Sequence, residues 1–260
     1  MSRTAVCTLV LAAMTIGPSI GLGIGVASVT AAPVLQTPAP VFGVNTTNWG
    51  GYVVMGSSDS VSEVTGSWIQ PAVSCTHTAG YLGLWDGIDG FNSKTVEQGG
   101  TLAYCAHGHA HYSAWYEFFP APSVTIPSLT VTPGSPVSVT VTFNSSATDF
   151  AIMVEVGNSS FTHVGTVKGA VRASAECIDE RPQLNRHLTR LADFGEVRFG
   201  ADSTSTIGCG ATIGGITGPF GSFSSVLEVN MVDHTHHLLS STSSLSSDGS
   251  SFTATWVASS

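Results

Sequence analysis

The chain has 260 residues, 42% of them hydrophobic, which is enough for one sizeable core and fits one folded domain. Only 10% are charged and the formal net charge is −9, which argues against nucleic-acid binding, since that wants a basic face. Abundant glycine, serine and threonine disfavour long helices and suit short strands joined by turns.

Residues 1–31 read as a secretory signal. Arg3 supplies a thin positive start, Ala5 to Val26 is apolar, and Val29-Thr30-Ala31 gives a small-residue cleavage site. Residues 32–44, rich in proline and alanine, read as a linker or short pro-segment, and 45–260 as the folded domain. The mature product is expected to be secreted and extracellular, a monomer with no stable membrane association. Five cysteines fit an exported chain. Cys7 leaves with the signal, and the even set Cys75, Cys105, Cys177 and Cys209 implies two disulfides. Three pairings are open, and Cys75–Cys105 with Cys177–Cys209 is favoured.

Past the linker, apolar and polar residues alternate. Strands are predicted at Tyr52–Met55, Val61–Ile69, Tyr81–Ile88, Ser113–Phe119, Pro136–Phe143, Ala151–Val156, Val197–Phe199, Ser225–Val232 and Phe252–Val257. Turn signals such as Pro133-Gly134, Gly157-Asn158 and Asp248-Gly249 separate them. Only Asp179 to Leu191 has room for a helical turn or two. Many short strands at this spacing predict an all-β fold, an antiparallel β-sandwich of two sheets.

Several catalytic signatures are missing. There is no G-x-S-x-G elbow, no H-E-x-x-H helix and no glycine-rich phosphate loop. Asp86-Gly-Ile-Asp89-Gly does not match the Asp-Thr/Ser-Gly loops of aspartic peptidases. What remains is a set of aromatic and acidic segments: Leu84 to Gly90, Val96 to Gly100, Tyr112 to Pro120, and Ala173 to Glu180. Together with Asn48-Trp-Gly-Gly-Tyr52, Gly66-Ser-Trp-Ile-Gln-Pro71 and Ala192-Asp-Phe-Gly195, their order and spacing resemble the glutamic peptidases, the G1 or eqolisin family.

That resemblance covers Asn48 to Trp256 and implies a concanavalin A-like or jelly-roll sandwich. It also implies acid-pH endopeptidase activity on proteins or peptides, with no metal or cofactor. It puts Gln98 and Glu176 in the catalytic positions. Trp85, Asp89, Trp115 and Glu117 fall in segments that support or contact substrate. Two departures, Gly99 where threonine is common and Asp86 where an apolar residue is usual, are expected to bear on subsite preference.

The chemistry is coherent on its own terms. Peptide hydrolysis needs a base for water, a donor for the oxyanion and an acid for the leaving amine. A glutamate supplies the first and third, and a glutamine amide the second. Two rivals use other residues. His107, His109 and His111 alternate as on one strand face, the pattern of a β-sandwich metallohydrolase, with Asp233 to His237 as further ligands. Trp85, Trp115 and Tyr116 would instead form the stacking platform of a lectin-like glycan-binding module.

Overall fold

The computed structural model describes residues 41–75, 79–200 and 208–260. The signal segment and residues 32–40 of the linker lie outside them. Strand β1 (Val41–Thr46) takes up residues 41–44 of the segment read as linker and the first two residues after it. The first half continues with β2 (Trp49–Met55), β3 (Val61–Ile69), β4 (Tyr81–Ile88), β5 (Val96–Ala106), β6 (His109–Phe119) and β7 (Val124–Thr125). Next come β8 (Pro136–Asn144), β9 (Asp149–Val156), β10 (Ser159–Gly165), β11 (Ser174–Glu180), β12 (Gln183–Leu184) and β13 (His187–Leu188). The chain ends with β14 (Glu196–Phe199), β15 (Gly210–Ile213), β16 (Ile216–Pro219), β17 (Val226–Val232), β18 (Leu238–Thr242) and β19 (Phe252–Trp256).

One ladder runs β1–β17–β2–β11–β4–β5–β6–β7 and is antiparallel except where β1 meets β17. A second runs β10–β9–β8–β3, and β3 pairs onward with β14 and β15. Strands β14, β19 and β18 carry the hydrogen bonding back to β17, so the two layers are one 17-stranded sheet folded over. Alternation explains the closure. In β8, Val137, Val139 and Val141 are buried while their neighbours are half-exposed. They join Trp68, Leu82 and Phe150 in the core between the layers.

Two expectations change. The segment Asp179 to Leu191 forms no helix: it finishes β11 and then makes the β12–β13 hairpin. Asn185 and Arg186 take φ of 50° and 68° there, the left-handed pair that a two-residue hairpin turn requires. Among the described residues the one helical element is the 3₁₀ turn Phe220–Ser222. Cys75 and Cys105 are bonded as expected, closing a loop with a sequence separation of 30, worth about 3–4 kcal/mol on a chain-entropy basis. Cys177 and Cys209, expected to form the second disulfide, are instead buried free thiols. Cys177 is fixed on β11 opposite Asp86, and Cys209 by its backbone bonds to Ser250 and Phe220; these ladders set the sulfurs near one another without joining them.

Candidate active site

Directly paired residues on neighbouring strands project to the same face of a sheet. Val53 on β2 pairs with Glu176 on β11, Glu176 with Gly87 on β4, Gly87 with Gln98 on β5, and Gln98 with Glu117 on β6. These five positions therefore form one row across the sheet. Val53 belongs to a small apolar cluster with Trp85, Val96, Ile178 and Val229, separate from the main core, which marks this as the outer face. Glu176 and Gln98 stand two strands apart, roughly 10 Å at the backbone, with Gly87 between them. A Cβ at Gly87 would sit 3.0 Å from the Gln98 Cβ and 3.1 Å from Trp85 Cζ3, so the row needs a residue without a side chain there.

The two ends of that gap have different chemistry. The Gln98 amide Nε2 donates to Glu117 Oε2 at 2.5 Å, which fixes the plane of the amide. Its second N–H is left over, and its Oε1 has no partner among the described residues. Glu176 is fully buried, and neither of its oxygens accepts a hydrogen bond from a described residue. Burial pushes its pKa well above the ordinary glutamate value; the nearby Ser174 hydroxyl partly offsets this, and the Asp89 charge adds to it. Burial also raises the Glu117 carboxyl, while the bond from Gln98 draws it back.

The supporting residues divide by contact. Trp85 is buried, meets Trp49 edge-on at 4.9 Å, and donates its indole N–H to Glu180 Oε2 at 2.8 Å. Asp89, also buried, has φ of 68° and accepts from the backbone N–H groups of Val171, Arg172 and Ala173 at 2.6, 2.8 and 3.0 Å. It thus clamps the segment that leads into β11 and Glu176. Trp115 and Glu117 stay half-exposed on the outer face.

A family model, the Peptidase A4 family, matches residues 47–254. The chain belongs to the Peptidase A4 family. Aspergillopepsin-2 from Aspergillus niger is 31% identical over 192 residues, 64% of this chain and 66% of that relative's length. Aspergilloglutamic peptidase from Aspergillus niger superposes with a TM-score of 0.57 at 28% identity, covering 68% of this chain and 99% of its own. Scytalido-glutamic peptidase, solved with a transition-state analogue inhibitor, shares the fold at a TM-score of 0.67 and 20% identity, covering 81% and 98%. Membership and the two Aspergillus niger relatives support a glutamic endopeptidase. Among the described residues no helix is long and apolar enough to cross a membrane.

In this A4 chain the rival sites come apart. His107 and Gly108 make the β5–β6 turn with φ of 52° and 78°, and His111 stacks on Tyr104 at 4.9 Å. These imidazoles do not converge as metal ligands. His237 turns to Asp233 within its own loop, with Nδ1 3.4 Å from Oδ2. The aromatic platform fails too, because Trp85 is buried and Tyr116 faces the inner side, stacked on His163 at 4.5 Å. Gly99 and Asp86 likewise point inward, one residue out of step with the outer row, so they do not shape a subsite. A Cβ at Gly99 would lie 2.8 Å from Ile152 Cγ2 and 2.9 Å from Val154 Cγ2, which explains the glycine by sheet packing.

Sequence reasoning missed Glu180, Asn48 and Gly87. Glu180 accepts from Trp85 and from Asn48 Nδ2 at 3.3 Å, and burial raises it to about 7. The signal was present: Glu176, Ile178 and Glu180 are spaced by two and share a strand face.

Proposed function

We propose that the chain is a secreted acid endopeptidase in which Glu176 and Gln98 hydrolyse peptide bonds by direct attack of water. The observation that carries this reading is the single row Glu176–Gly87–Gln98–Glu117 on the outer face. A peptide carbonyl held over Gly87 lies between a base and a donor. Glu176, ionised, takes a proton from water as it attacks the carbonyl carbon. The free Gln98 N–H donates to the developing oxyanion, and its Oε1 accepts from the same water. Glu176 then returns the proton to the leaving nitrogen, so the base becomes the acid. Glu117 holds Gln98 in the one orientation that serves both tasks. A preorganised donor of this kind contributes about 3–4 kcal/mol to the transition state.

The pH profile follows from burial. Glu176 has to be ionised to act as base and its pKa is raised, so the acid limb of kcat/KM should lie above the roughly 4.3 of a free glutamate. The alkaline side is limited by the fold, because Glu180 and Glu97 ionise at about 7 and about 8 inside the protein. Activity is therefore expected within an acidic window. Export through residues 1–31 suits an enzyme that works in acid surroundings.

The test is cleavage of a denatured protein substrate across pH 2 to 8 by wild type, wild type with chelator, and Glu176→Gln. The reading predicts acid-side cleavage that survives chelator and disappears in the variant. Loss with chelator, or full activity in a folded Glu176→Gln, would contradict it.

A further inference from the structure

Behind the catalytic row, on the inner face of the same strands, Asp86 and Cys177 are directly paired across β4 and β11. Cys209, just before β15, completes the group: one carboxylate oxygen and two sulfurs, all buried, lie within 4.8 Å of one another. Apart from the Cys177 thiol beside it, neither oxygen of Asp86 has a hydrogen-bond partner among the described residues. The fold leaves room for this carboxylate by placing Gly66 against it, since a Cβ there would collide with Asp86 Oδ1. The Thr65 carbonyl borders the group, 4.0 Å from Cys177 Sγ.

An unpartnered carboxylate in an apolar interior costs several kcal/mol unless a proton or a cation answers it. Nothing in the peptidase chemistry uses this group, since the row of Glu176 and Gln98 faces the other way. Two thiols beside a carboxylate are a soft, mixed donor set. It suits zinc and not calcium or magnesium, which take oxygen ligands. Around a tetrahedral zinc such ligand atoms stand about 3.3–3.8 Å apart, a modest contraction from the present group.

We propose that Asp86, Cys177 and Cys209 form a structural site for a zinc-like divalent cation between the two sheet layers. Loading removes three protons, one from each thiol and one from the carboxyl, and forms one metal–oxygen and two metal–sulfur bonds. The bound group carries one net negative charge, the same as an ionised Asp86 alone, but spread over the ion and its ligands. The ion would tie β4 and β11 to the approach to β15. It would touch no substrate, and because its ligands must give up protons the ion is held at neutral pH and released in acid, so chelator does not act on the cleavage step itself.

The full chain is to be produced with zinc or cobalt as the added transition metal, dialysed at neutral pH, and assayed for metal and by absorption. The expected result is about one metal per chain and, for cobalt, a thiolate-to-cobalt charge-transfer band. Both should be lost in Cys177→Ser/Cys209→Ser, and metal retention should fall about tenfold or more in Asp86→Asn. The wild-type spectrum decides the matter even if a variant misfolds. Metal-free wild type without the band would overturn the site. So would a Cys177–Cys209 disulfide by mass spectrometry, or a folded Asp86→Asn that keeps its zinc undiminished.

Discussion

Two rows one residue apart cross the same strands. The outer row is Val53, Glu176, Gly87, Gln98 and Glu117; the inner row is Tyr52, Cys177, Asp86, Gly99 and Tyr116. The outer row joins an amide and carboxylates to a small apolar cluster. In the inner row Tyr52, Cys177 and Tyr116 pack against the main core, and Gly99 lets the second layer approach. Adjacent residues on one strand therefore have unrelated duties, and the period of two alone assigns them. A substitution on the outer row should cost turnover, and one on the inner row should cost stability.

The largest effect expected is on turnover in Glu176→Gln, about 10³-fold or more in kcat, with an unchanged fold by circular dichroism. Gln98→Ala follows at about 10²–10³-fold in kcat, the usual cost of one oxyanion donor. The paired glycines separate the faces most cleanly. Gly87→Val should lower kcat/KM about 10²-fold by crowding Gln98 and Trp85. Gly99→Val should overpack against Ile152 and Val154 and cost about 1–3 kcal/mol in a thermal melt, with specific activity per folded molecule retained. Equal effects from the two would break the division. Glu117→Gln removes the charge that holds the Gln98 amide and should lower kcat about tenfold with little change in KM.

The smallest effect is a pH dependence of stability. Burial, with repulsion from Asp89, raises Glu97 to about 8, and burial raises Glu180 to about 7. For a raised carboxyl the stabilisation is complete below its unfolded pKa, near about 4.3, and is lost as pH rises through the folded value. Tm should fall steadily from about pH 4 to pH 8. Glu97→Gln should flatten that slope, whereas a flat profile in the wild type would count against the buried carboxyls.

Most of the strand frame was legible because β3 and β4 carry their pattern in full: Val61–Ile69 and Tyr81–Ile88 are the residues predicted. Strands β5 and β11 were harder: like β4 they are buried on both faces, but Val96-Glu-Gln-Gly-Gly100 and Ser174 to Glu180 put glycines, carboxylates and small polar residues where β4 has an aliphatic and aromatic run. The candidate pair was legible only through resemblance; nothing local distinguishes Gln98 from a surface glutamine. The pairing register, which puts Gly87 between Glu176 and Gln98, was not legible, since it depends on contacts between distant segments. The same limit applied to the cysteines. Their even number suggested a second bond, while the ladders leave Cys177 and Cys209 as thiols beside Asp86.

The central claim is that Glu176 and Gln98 act on one transition state. A double-mutant cycle in kcat/KM with Glu176→Gln, Gln98→Ala and the double variant tests it directly. If the two groups serve one step, the double variant should be little worse than Glu176→Gln alone. Fully additive losses, or substantial turnover left in folded Glu176→Gln, would contradict the account.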